Sequence, residues 1–152
     1  MSTGSGKDDP LPVKAKSETQ AWAQRMTEHM ARAAGIQTDP TSVKALFTGC
    51  EGRNGESAPD DRYYLMYTVF SAVPQNQHPE VVRKIRDMAE KEGLTISVYQ
   101  ETGSDGKVDA VVSANHTSDY NLRASTAGDV DRMYLSVTSP CLMPPATAAT
   151  TP

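Results

Sequence analysis

The sequence predicts an α+β two-layer sandwich: a mostly antiparallel sheet of about six strands with two helices on one face. Three observations carry it. Two segments have apolar residues at helical spacing, six others have strand character, and the order along the chain is α-β-β-α-β-β-β-β. A strand–helix–strand connection leaves its two strands pointing the same way, whereas each hairpin reverses direction. Counted through, the first and sixth strands run alike and end at the same edge of the sheet.

The first helix follows Ser17-Glu18-Thr19-Gln20, read as a capping box with serine and glutamine satisfying the free amides of the opening turn. Trp22, Met26 and Met30 recur every four residues, with Ala23, Ala33 and Ala34 beside them, up to a stop at Gly35. Val43 to Cys50 reads as a strand, and residues 51–62 as a polar loop. Tyr63 to Val73 is apolar at both alternating positions, so cover on both faces is expected. Pro79 suits a first helical position, and Val81, Val82, Ile85, Met88 and Ala89 make the second helix amphipathic up to Gly93. Leu94–Tyr99 and Val108–Asn115 flank Gly103-Ser104-Asp105-Gly106, a hairpin signal. Tyr120–Thr126 and Met133–Thr138, with a turn at Gly128-Asp129, complete the strands.

The organisation follows from composition. Residues 1–16, rich in Gly, Ser, Pro and charge, are expected to be a flexible tether, 17–142 a single domain, and 143–152 a disordered Pro/Ala/Thr tail. Net charge is −4 and no basic cluster exceeds Arg83-Lys84, which excludes a nucleic-acid footprint. No run reaches the ~18 apolar residues of a membrane helix.

The two cysteines, Cys50 and Cys141, each end a strand-like run and lie 91 residues apart. They form neither a Cys-x-x-Cys motif nor a zinc spacing. Paired, they place folding in an oxidising compartment and finish the first and last strands side by side; two buried thiols in a cytosolic protein are the alternative. A disulfide is the favoured reading, worth about 4.6 kcal/mol on the chain-entropy account.

Motifs for catalysis are absent. His29, His78 and His116 are scattered and none has a metal-ligand partner, so no metal, cofactor or catalytic residue is assigned. His116 with Asp119 in a turn is the one pair that could orient itself for hydrolysis, and a surface turn explains it more simply. The acidic pairs match no calcium loop. Asn115-His116-Thr117 fits a glycosylation sequon, a pattern frequent by chance. Tyrosines on a helix-free sheet face would make an amphipathic recognition surface.

Ser2-Thr3-Gly4-Ser5-Gly6, Thr48-Gly49-Cys50-Glu51-Gly52, the tyrosine-rich strand, Glu92-Gly93-Leu94, Ser118-Asp119-Tyr120-Asn121-Leu122 and Val137-Thr138-Ser139-Pro140-Cys141, in that order, resemble the small lipoproteins of actinobacterial cell envelopes. The resemblance implies an exported domain with one disulfide, at the outer face of the cytoplasmic membrane, anchored by a lipid on a cysteine not in this chain. It brings no activity. The expected function is a non-catalytic binding module for an envelope protein or envelope component, with no nucleic acid and no membrane contact beyond the anchor. The alternative is a carrier of a small molecule or lipid, its pocket between helices and sheet lined by Trp22, Met26, Met30 and Tyr67.

Overall fold

The computed structural model describes residues 12–50, 62–103, 106–117, 119–128 and 131–145. Its elements are α1 (Lys16–Ala34), β1 (Asp39–Gly49), β2 (Tyr63–Ala72), a 3-10 turn (Gln75–Gln77), α2 (His78–Lys91), β3 (Thr95–Thr102), β4 (Val108–Asn115), β5 (Asn121–Thr126) and β6 (Arg132–Thr138). All six strands form one antiparallel sheet in the order β1-β2-β6-β5-β4-β3. The α+β class and the element order are as expected. The 51–61 loop and parts of the expected turns at Ser104-Asp105 and Asp129 lie outside the described residues.

Both helices lie on one face, α1 over β2 and β6, α2 over β3, β4 and β5. The core between the layers is filled by Met30, Leu65, Ile85, Leu122, Met133 and Leu135, each at most 1% exposed. The α1 stripe is rotated relative to its expectation. Thr19, Ala23, Thr27, Met30, Ala31 and Ala34 are buried, while Trp22 and Met26 sit at the margin. Two threonines serve in the core because small side chains let α1 approach the sheet, and their hydroxyls bond Tyr63 and the Gln24 carbonyl.

The start of α1 also differs. Ala15 is its N-cap, and the Glu18 carboxylate accepts the Ala15 amide at 3.2 Å, so Ser17 and Gln20 are not the capping pair. Alanine offers no acceptor in return, so only that half of a capping box forms. Gly35 ends the helix at φ 72°, a left-handed conformation in which an L side chain is strained.

β2 is covered on one face only. Its odd residues, Tyr63, Leu65, Tyr67, Val69 and Ser71, are buried, whereas Met66 on the other face is 41% exposed. Among the described residues no second helical layer covers the sheet, so an apolar residue on that side lies open. Of the six tyrosines only Tyr64 and Tyr134 share that open face. Tyr63 and Tyr67 are buried under the helices, Tyr99 packs beneath Arg86 of α2, and Tyr120 packs against Trp22. Tyr64 shares the parity of Met66, and Tyr134 lies opposite Phe70 and bonds Arg123.

Strand order corrects the expected arrangement of the cysteines. β1 and β6 do run the same way, but β2 lies between them. Two sheet spacings of about 4.8 Å would separate their ends by more than the ~7 Å a disulfide tolerates. Cys50 and Cys141 are nonetheless bonded, with Cα atoms 6.2 Å apart. A bulge closes the gap. Ser139 pairs with Leu65 and Leu142 with Tyr63, so Pro140 and Cys141 together face the single residue Tyr64. Pro140 has no amide to donate, and the Ser139 hydroxyl takes the Leu65 amide at 2.8 Å, so the ladder is satisfied while the chain is displaced.

Candidate functional site

The boundaries expected for the two tails exclude residues that the structure places in the body. Val13 pairs in parallel with Met143, with Lys14 N–H donating to the Met143 carbonyl and Met143 N–H to that of Pro12, both at 2.9 Å. The buried Tyr63 hydroxyl donates to the Lys14 carbonyl at 2.7 Å and accepts from Thr19 at the same distance. These long-range bonds satisfy backbone groups that a flexible tether would leave to water. The ordered body therefore extends outward from 17–142 to include residues 12–16 and 143.

With that segment in place, a cleft of about 270 Å³ opens at the disulfide end of the sheet. Its wall is built from Pro12 and Lys14, Trp22 of α1, Asp119 and Tyr120 from the β4–β5 turn, and Pro140 from the bulge. Trp22 and Tyr120 meet nearly at right angles, 79°, with centroids 5.3 Å apart. His116 stacks behind Tyr120 at 4.9 Å and 10°, holding its ring from the other side. Lys14 places its ammonium 5.8 Å from the centre of the Trp22 ring.

The turn that presents Tyr120 is tight and strained. Asp119 N–H donates to the His116 carbonyl at 2.7 Å, and His116 N–H to that of Tyr120 at 2.9 Å. Thr117 sits at φ 50°, the one non-glycine residue at positive φ among the described residues. A β-branched residue there costs of order 1–3 kcal/mol, and such strain collects at functional sites.

The Trp22 indole N–H and the Tyr120 hydroxyl make no hydrogen bond to another described residue. Burial, with the carboxylates of Glu92 and Asp119 nearby, raises the Tyr120 pKa, which keeps it a neutral phenol able to donate and accept. One Asp119 oxygen lies 3.4 Å from His116 Nδ1, too poorly aligned for a hydrogen bond, and that nitrogen is buried without another partner among the described residues. His116 and Asp119 are thus brought together as the sequence suggested. The ring that His116 stacks on is that of Tyr120.

The four residues expected to line a carrier pocket are dispersed. Met30 is enclosed in the core, Met26 lies at its margin, Trp22 lines the cleft just described, and Tyr67 borders a different one between α1 and β1. That second cleft is mixed in character, with Gln20, Gln24 and Glu28 along one side. Glu28 and burial raise the Tyr67 pKa there, burial being the larger cause. Among the described residues no group of three or more His, Cys, Asp or Glu could hold a metal ion.

His78 is a structural residue that sequence spacing did not single out. It is fully buried at the start of α2. Its Nε2 faces the Val73 carbonyl at 2.8 Å, which can only accept, so Nε2 carries the proton. Nδ1 then accepts from the Thr126 hydroxyl at 2.9 Å, and that hydroxyl accepts the Ala110 amide at 3.0 Å. The chain of bonds ties α2 to Val73, the residue that follows β2, and to β4 and β5. Its sequence signal was weak: a histidine just before Pro79 at a helix start.

At the other sheet edge, Arg83 of α2 grips Glu101 of β3 through two nitrogens at 2.9 and 3.2 Å, and Tyr99 adds a third bond to the same carboxylate at 2.6 Å. These bonds hold Glu101 down to a pKa of about 2. No described helix is long and apolar enough to cross a membrane.

Fold and site together define a disulfide-stapled α+β sandwich with an aromatic cleft at the stapled end, and the disulfide fits a non-cytoplasmic domain. No protein-family model and no curated protein matches the chain.

Proposed function

We propose that this domain is a non-catalytic binding module of the cell envelope, held at the outer face of the cytoplasmic membrane by a lipid anchor on a cysteine outside this chain. The observation that carries the reading is the Cys50–Cys141 bond, which closes a 91-residue loop through a bulge shaped to reach it. Such a bond persists where thiols are not kept reduced. The anchor follows from the resemblance to envelope lipoproteins, and binding from the open aromatic cleft. The cleft is open to solvent rather than enclosed between helices and sheet, and the residues expected to line a carrier pocket are dispersed, which favours surface recognition over carriage.

The test is made in the native host with the full gene product. Metabolic labelling with an alkyne fatty acid should tag the protein, protease added to intact spheroplasts should degrade it, and alkylation without reductant should leave both cysteines unmodified. An unlabelled, protease-protected protein with two alkylated thiols would refute the proposal.

A further inference from the structure

We infer that the cleft formed by Trp22, Tyr120, Asp119 and Lys14 is a saccharide-binding subsite that takes one neutral sugar ring. The inference rests on reading the domain as a binding module and names the chemistry of its ligand. Sugars present apolar C–H faces and a rim of hydroxyls. Two aromatic rings set at 79° supply the complementary apolar walls, and the groups around them supply the polar contacts.

The polar inventory points to a neutral, polyhydroxylated ligand. The Lys14 ammonium donates, the half-exposed Asp119 carboxylate accepts, the Trp22 indole donates, and the Tyr120 hydroxyl does either. Neither Trp22 nor Tyr120 spends its polar atom on another described residue, whereas the Thr19 and Ser139 hydroxyls at the same cleft are committed to Tyr63 and to Leu65. The charged groups lining the cleft are one cation, Lys14, and one anion, Asp119. The Glu92 carboxylate near Tyr120 lies outside the lining and is bonded to His29, so the lining favours neither an anion nor a cation. An incoming alkylammonium would also meet Lys14, which already lies over Trp22.

The site is also pre-built. His116 backs Tyr120, the strained turn at Thr117 fixes the loop, and Tyr63 pins the Lys14 backbone. Pre-organisation lowers the ordering cost that otherwise consumes the small binding energy of a single ring. Trp22 is the single tryptophan of the chain, so its fluorescence reads the site directly.

The oxidised protein is titrated with the methyl glycosides of glucose, galactose, mannose and N-acetylglucosamine and with their short oligomers, followed by Trp22 fluorescence and by amide chemical shifts. At least one should saturate with a dissociation constant on the order of millimolar for one ring, with shifts clustered at residues 12–14, 19–23, 116–120 and 139–142. Asp119→Asn and Tyr120→Ala should each weaken binding at least tenfold. Leu46→Ser, on the open sheet face, should leave it unchanged. Asp119→Asn is an exposed, isosteric change, and matching circular dichroism and melting confirm that each variant is folded. No saturation by any sugar, shifts confined to other surfaces, or saturation by tetramethylammonium or phosphate instead would overturn the inference. Sugar binding by a protein that labelling places in the cytosol would refute the compartment alone; an envelope protein that binds no sugar would refute the subsite alone.

Discussion

Breaking the Cys50–Cys141 bond with the double substitution Cys50→Ser/Cys141→Ser should lower the melting temperature by about 7 to 17 °C. The loop spans 91 residues, and the chain-entropy relation assigns its closure about 4.6 kcal/mol, with typical native disulfides at 2–4. An ordered body on the order of 130 residues unfolds with an entropy of about 0.27 kcal/mol per degree, which converts 2 to 4.6 kcal/mol into that range. Both cysteines are half-buried, so serine itself adds little cost. The assay is reversible thermal unfolding by circular dichroism, oxidised wild type against the variant, with dithiothreitol-treated wild type expected to match the variant. A variant melting within about 3 °C of the oxidised protein would refute the reasoning. It would mean that the β1–β2–β6 pairings and the Leu142–Tyr63 bonds already restrain the chain as far as the disulfide does.

Other outcomes follow from particular contacts. His78→Phe keeps the ring but strands the Val73 carbonyl and deprives the Thr126 hydroxyl of its acceptor, so urea unfolding should show a loss of about 2–4 kcal/mol. Thr117→Asn relieves a β-branched side chain at positive φ and should raise stability by about 1 kcal/mol in the same assay; a loss would mean that the turn is not strained. The Glu101 carboxyl should titrate near pH 2 by NMR, below the usual 4.5. Because its folded pKa is depressed, its bonds to Arg83 and Tyr99 stabilise fully above pH 4.5 and are lost as pH falls through 2. The melting difference between wild type and Glu101→Gln should therefore be steady near neutrality, close between pH 4.5 and 2, and shrink with added salt, as an exposed pair requires. Met30→Ala, which opens a cavity beneath α1, should cost about 2–5 kcal/mol in urea unfolding.

How much could be read in advance depended on the range of the interactions. Val81, Val82, Ile85 and Ala89 declare α2 within four turns of chain, and β4 was legible to the residue because its flanking glycines and Asn115 bound a short apolar run. Thr19 and Thr27 carry no core signal in the sequence, since polar side chains seldom mark a core, and here each is admitted by one specific bond. The cleft was invisible. Trp22 and Tyr120 are nearly a hundred residues apart, and the wall at Pro12–Lys14 belongs to a segment without periodicity that is ordered only by Met143 and Tyr63.

By itself the sequence determined the class, the order of elements, the direction of each strand and the two cysteines at strand ends, since these rest on local periodicity, turn residues and the count of reversals. Only the tertiary structure decided that β2 lies between β1 and β6, that Ser139-Pro140 makes the bulge bringing Cys141 to Cys50, and that the same bulge forms one wall of an aromatic cleft. The reason is physical. Strand neighbours and cleft walls are chosen by which long-range pairings bury the most apolar surface while satisfying every backbone amide. That choice belongs to the whole chain rather than to any window of it.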